Sequence, residues 1–437
     1  MSEDLEELYR RLRLLLRNEK WDEAIAVFTK IISLEKDPER KASAYHDRGL
    51  TYLTKRNHGR AIADYDKAIA LNPHNAAAYG HRGFAYESKG DYDRAIADYD
   101  KAIALNPQDA AAYHARGIAY ESRGNYDRAI ADYDKAIELN AYNAAAYRRR
   151  GIAYGVKGDY DHAIANYDKA ITLDPTDAAA YRERGITYGA KGSYDRAIAD
   201  YDKAIALNPT DAAAYRERGR AYDAKRDYDR AITDCDKAIE LDPTDAAAYA
   251  NRGLVYCSKR AYDRALADYD KAIELDPTDA AAYANRGLVY GVKGAYDRAL
   301  ADYGKAVKLN PRDAAAYRNR GLVYCAKGTY DRAIADFDKA IKLNQEDAPA
   351  YSGRGLAYFS KEAYSRAIAD FDKAIKLNPQ DAAAYANRGA AYGMIGKYGA
   401  AFDDYSKAGN LDNWLKSTNT LVHIASELQG IASGRGK

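Results

Sequence analysis

The chain has no apolar run long enough to cross a membrane. It has almost no net charge, since 67 Lys and Arg offset 65 Asp and Glu to leave +2. That balance removes a general pull toward nucleic acid or a membrane surface. Only three cysteines occur among 437 residues. Cys257 and Cys325 hold the same place in a repeating pattern, two units apart. Stacked helices lie roughly 8–10 Å apart, and a disulfide needs Cα atoms within about 7 Å. Cys235 stands where other units have a core aromatic. All three are expected to be reduced packing residues. The opening MSEDLEELYRRLRLLL lacks the basic start, pure apolar stretch and small-residue cleavage site of a secretion signal. A cytoplasmic location is expected. No Walker loop, HExxH, GxSxG or CxxC is present. No catalytic residue, cofactor or metal site is expected, and the chain does not read as an enzyme.

What the chain has instead is a 34-residue period. Each unit is numbered here from the first alanine of AAAY. Position 4 is then Tyr, from Tyr45 to Tyr385, and position 8 is Gly, from Gly49 to Gly389. Positions 11 and 17 are usually Tyr, 20 and 27 are Ala, 24 is aromatic in all but one unit, and 32 is usually Pro. Positions 4, 8 and 11 share one face of a first helix. Positions 17, 20, 21, 24, 27 and 28 share one face of a second. Gly at 15 ends the first helix in a left-handed conformation. Asp at 34 (Asp109, Asp177, Asp211, Asp245) caps the next first helix. The large rings at 4, 11, 17 and 24 are expected to fill the core around the small residues at 8, 20 and 27. One unit cannot bury both its faces, so it needs neighbours.

Large-4, Gly-8, Tyr-11, Ala-20, aromatic-24, Ala-27 and Pro-32 closely resemble the tetratricopeptide repeat. The resemblance covers nearly the whole chain. It implies an all-α, right-handed superhelical solenoid of stacked antiparallel helix pairs, with first helices lining a concave groove. It also implies a protein-binding scaffold. Residues 1–41 read as a divergent N-terminal capping helix pair, with Leu12 in place of the glycine and with Glu6, Glu7, Arg10, Arg13 and Arg17 on its outer face. Residues 42–415 read as eleven consecutive units. Leu421, Ile424, Ala425, Leu428 and Ile431 mark a C-terminal capping helix over 416–432, and 433–437 a flexible tail.

Position 7 is Arg in every unit, from Arg48 to Arg388, and position 23 is Asp in all but one, which has Asn166. Both lie at the edge of their helix's core face. The spacing predicts a repeated, partly buried ion pair rather than a binding row.

The resemblance places positions 2, 5, 9, 12 and 13 in the groove, with 6 at its rim. These vary where the core does not. Arg148, Arg149, Arg182, Arg216 and Arg220 cluster mid-chain and could take the carboxylates of an acidic peptide. Later units carry Asn251, Asn285, Asn319 and Asn387 at position 6, with Arg318 at 5. These ten are the candidate groove-binding residues, for a protein or peptide ligand. Some family members grip a C-terminal carboxylate with Lys and Asn. The asparagines match one element of that clamp, but its position-2 and position-5 lysines and position-9 asparagine are absent.

Other readings are weaker. His46, His81 and His114 sit in successive units, a ladder expected to be too sparse for zinc. Tyrosines beside arginines could stack single-stranded nucleic acid, but the rings fall on core positions and charge is balanced, so no nucleic acid is expected. The alternative to a binding scaffold is a structural, self-assembling element. Its near-identical units fit recent duplication and consensus-style engineering equally. A monomer is expected, with end-to-end association as the competing outcome.

Overall fold

The computed structural model describes residues 5–411. The capping helix expected at 416–432 and the tail at 433–437 lie outside the described residues. Among the described residues there are twenty-four helices and no strand. The chain divides into two compact units, Met1–Lys225 and Arg226–Lys437. The first holds the helices from Leu5–Arg17 to Ala212–Ala224, and the second those from Tyr228–Leu241 to Tyr398–Leu411. Within each unit a first helix packs on the second helix that follows it, and that second helix packs on the next first helix.

Local chemistry sets the helix ends. The first helix Ala178–Ala190 is capped by Asp177, whose carboxylate accepts from the Ala180 backbone N–H. It ends before Gly192, at φ +73°. Four repeats lack that glycine, and Arg56, Arg226, Arg260 and Glu362 take φ of 56–61° in its place. The second helix Tyr194–Leu207 stops at Asn208, just before Pro209, which would lack the N–H to continue it.

The core is narrower than the sequence pattern implies. The position-24 ring is fully buried, as in Tyr99, Tyr201 and Phe337, among alanines such as Ala180, Ala197 and Ala204. A Cβ added at Gly185 would come within 2.7 Å of the Tyr201 ring, so position 8 must be glycine for the two helices to approach. The rings at 4, 11 and 17 are mostly only partly buried, as in Tyr181, Tyr188 and Tyr194, but Tyr222 at position 11 is buried, and Tyr188 and Tyr194 pack at the edge of the core of Ala197, Tyr201 and Ala221. Two of them also carry guanidinium groups. The Arg184 Cζ lies 5.6 Å from the Tyr181 centroid, and the Arg196 Cζ 5.7 Å from that of Tyr188, within cation–π range.

The divergent N-terminal pair has a core of Leu8, Leu12, Leu15, Val27, Phe28 and Ile31, aliphatic but for Phe28. Leu12 sits where the repeats have glycine. Glu6, Glu7, Arg10, Arg13 and Arg17 are exposed.

The position-7 arginines do pair with position 23. Arg184 Nε and Nη2 donate to Asp200 at 2.8 and 2.6 Å, a bidentate contact on a buried carboxylate. The pattern repeats from Arg48–Asp64 to Arg388–Asp404. Where Asn166 replaces the aspartate, Arg150 Nε still donates to its Oδ1 at 2.8 Å. A second clasp, absent from the sequence reading, runs backward. Arg184 Nη1 donates to Asp168, position 25 of the preceding repeat, at 2.5 Å. A third, exposed ladder joins the position-14 lysine to the position-18 aspartate of the preceding repeat, as in Lys259–Asp229 at 2.6 Å.

Candidate functional site

The first helices present one face that the core does not use. Its positions 5 and 6, with Arg220 at position 9, carry the charged and amide candidates, and the structure gives most of the charged ones a partner from the chain itself. Arg148, Arg182 and Arg318, all at position 5, each meet the aspartate that caps the next first helix. Arg182 Nη1 donates to Asp211 at 2.6 Å, and Arg318 Nη1 donates to Asp347 at 2.9 Å. Arg148 Nε lies 2.9 Å from Asp177 as an ion contact without hydrogen-bond alignment. One carboxylate therefore caps a helix and binds a guanidinium. Arg149 donates to Glu121 at 3.1 Å and Arg216 to Glu217 at 3.2 Å. Arg220 also reaches Glu217, at 2.8 Å, but remains 62% exposed. Among the six it presents the most open cation.

Asn251, Asn285, Asn319 and Asn387 are partly buried at position 6 of their helices. Asn319 and Tyr303 line the same cleft. The structure brings these asparagines beside residues that sequence reasoning passed over. Position 9 is apolar and open to solvent in four consecutive repeats: Leu254, Leu288, Leu322 and Leu356 are 40–45% exposed. The signal was present as an apolar residue recurring out of register with the core. Leu288, Val292, Leu322 and Val323 line a cleft of about 290 Å³ with Asn319 and Tyr303. The cleft meets Gly291, a position-12 residue that brings no side chain of its own.

Position 12 is acidic in earlier repeats. Glu87 accepts from the Tyr99 hydroxyl at 2.8 Å and Glu121 from Tyr133 at 2.6 Å. Burial pushes the Glu87 carboxyl above its ordinary range, against the opposing pull of the Tyr99 hydroxyl. These acids serve the tyrosines beneath them.

The histidine ladder is tighter than expected at one step. His46 Nε2 and His81 Nδ1 are 2.9 Å apart, and His46 Nδ1 is 3.0 Å from Asp47. His114 lies elsewhere, its ring tilted against that of Tyr133 at 5.7 Å between centroids. Among the described residues no group of three His, Cys, Asp or Glu side chains could hold a metal ion. Nor is any helix among them long and apolar enough to cross a membrane. The three cysteines are free thiols. Burial pushes Cys235 up to about 12 and Cys325 up to about 11, which keeps both protonated and unreactive at neutral pH.

Helix pairs at a fixed 34-residue step, glycine-to-ring packing and an unused first-helix face set the frame for comparison with known proteins. Models described as tetratricopeptide repeat match residues 4–42, 46–110, 83–153, 182–246 and 235–267. A model described as TPR repeat matches 156–192, 253–294, 292–328, 321–362 and 355–396. The chain belongs to the tetratricopeptide-repeat family. Among curated proteins none matches the sequence. Solved structures with similarity include the APC/C hetero-tetramer Cut9–Hcn1, at TM-score 0.53 and 16% identity over 97% of this chain and 96% of that one. Yeast Tom70 follows at TM-score 0.44 and 18% identity, over 99% and 97%. YrrB, described as a TPR protein with an unusual peptide-binding site, shares 29% identity over 42% of this chain and 95% of its own, at TM-score 0.37. The first of these supports the fold alone. As a tetratricopeptide-repeat array, the chain is a protein-interaction scaffold in its general role.

Proposed function

We propose that this repeat protein binds an extended segment of a partner protein along the concave, first-helix face of its repeats, and that it performs no catalysis. The observation that carries this reading is the row of exposed leucines, Leu254, Leu288, Leu322 and Leu356, beside the position-6 asparagines. Neighbouring helices are roughly 8–10 Å apart, close to the roughly 9 Å that three residues of a polyproline II segment span before its side chains return to the same face. An extended segment could thus place one apolar side chain per repeat. Asn251, Asn285, Asn319 and Asn387 would hydrogen-bond its backbone, which an apolar face alone could not satisfy. In the unit that ends at Lys225, an acidic residue of a bound segment would meet Arg220 first. Arg148, Arg149, Arg182, Arg216 and Arg318 would have to exchange an internal carboxylate for the partner's.

The test is a pull-down and peptide-array screen with wild type and Leu288→Arg/Leu322→Arg. Both changes lie on exposed positions, so helix content should hold while binding falls by about tenfold or more. Unchanged capture by the variant would remove the leucine row from consideration. Sedimentation of the free protein at high concentration should give a monomer; a concentration-dependent series of larger species would favour the self-assembling element instead.

A further inference from the structure

Apart from Arg150, whose own-repeat partner is Asn166, the position-7 arginines of the inner repeats sit between two carboxylates. One belongs to position 23 of the same repeat and the other to position 25 of the repeat before. Arg286 Nη1 donates to Asp270 and Arg252 Nη1 to Asp236, both at 2.6 Å. At the start of the array Arg48 finds the Thr29 hydroxyl in the same register, at 2.8 Å. One rung departs from this. Position 25 of the repeat beginning at Ala280 is Gly304. Arg320 keeps its inner pair, with Nε and Nη2 both 2.7 Å from Asp336. Among the described residues no second carboxylate reaches its Nη1.

The place beside that Nη1 is open. A Cβ built on Gly304 meets nothing within 4 Å. On the flanking rungs the aspartates in this place, Asp270 and Asp338, are 56% and 54% exposed. An external carboxylate can therefore approach where those side chains stand. The next turn of the helix changes with it. The helix Tyr262–Leu275 carries Asp270 and Glu274 at positions 25 and 29, whereas Tyr296–Leu309 carries Gly304 and Lys308. Residues four apart share a helix face. Over these two positions the charge goes from −2 (Asp, Glu) to +1 (Gly, Lys). Lys308 is exposed.

We propose that Arg320 Nη1 and Lys308 Nζ form a binding site for an acidic side chain of a partner protein, which takes the place an aspartate fills on the neighbouring rungs. The site is built in advance, because Asp336 already fixes the guanidinium plane. It lies on the edge where second helices meet the next first helix, so it is independent of the leucine row. A charge-assisted contact at a half-exposed place is modest and salt-sensitive. It holds an acidic segment weakly, and low salt strengthens the contact.

The test uses the full chain and a fluorescein-labelled hexaglutamate peptide with blocked ends, followed by anisotropy at low salt. Wild type should bind, and added salt should release the peptide. Gly304→Asp restores the internal carboxylate found on the flanking rungs, so the chain should fold and melt at least as well as wild type. Its affinity for the peptide should fall about fivefold or more. Lys308→Glu should act in the same direction. Asp270→Gly/Glu274→Lys copies the site onto the preceding rung and should double the stoichiometry. Leu288→Ser/Leu322→Ser, which adds no charge, should leave binding of this probe unchanged. No binding by wild type, or equal binding by folded Gly304→Asp, would overturn the proposal.

Discussion

The first helices Ala144–Val156 and Ala178–Ala190 and the first helices Ala280–Val292 and Ala314–Ala326 use the same backbone for different surfaces. The earlier pair is dense in charge, and its arginines close on carboxylates of the chain itself. The later pair sets leucine against water, and there an apolar cleft opens. A row of like residues in a repeat can thus mean opposite things. Internal ion pairs satisfy the charged face before any partner arrives. Exposed apolar area has no such internal remedy and is lowered in free energy only when something covers it.

The sharpest way to break that comparison is at the charged face, where two arginines stand two residues apart. Arg184→Ala strands the buried Asp200 carboxylate and should cost about 3–5 kcal/mol in urea unfolding. Arg182→Ala leaves Asp211 with its backbone capping bond and should cost about 1 kcal/mol. Equal costs would erase the distinction between the scaffold arginine and its surface neighbour. At the apolar face, Leu322→Ser should change stability by less than about 0.5 kcal/mol, since this side chain is 45% exposed. A larger loss would make the leucines part of the fold and not a surface kept for a partner.

The smallest effect concerns the position-12 acids. Glu87 holds its proton to higher pH than a free glutamate, chiefly through burial. The folded state therefore binds more protons around and above the ordinary carboxylate range. Its contribution favours folding as pH falls toward that range and is lost as pH rises through the raised value. Glu87→Gln should flatten this slope in a series of thermal melts at mildly acid pH, and an unaltered slope would show that Glu87 does not titrate with folding.

Much of this was readable from the chain. The 16-residue step from Arg184 to Asp200 joins two core-edge positions on adjacent helices, and that was enough to predict their pair. The backward step of 16 to Asp168 has the same length, but Asp168 lies on a face that a single-repeat view assigns to solvent. Tyr181 and Tyr188 follow helical periodicity and so read as core. Periodicity cannot tell a ring pressed into the core from one lying under a guanidinium at its edge. Leu288 and Leu322 were illegible for a related reason: an apolar residue on a helix reads as core whether or not a neighbour covers it. The tight His46–His81 contact depends on how positions 5 and 6 of adjacent repeats face each other, which a count of residues does not reveal.

The two clasps of each arginine have a consequence for how the chain reaches this state. Both partners lie 16 residues away, one ahead and one behind, and the exposed lysine ladder spans 30. Almost every bond between repeats therefore joins residues that are near in sequence. Low sequence separation means little loop entropy is lost before contacts form. Assembly can start at any repeat and spread in both directions, and the ends of the chain need never meet.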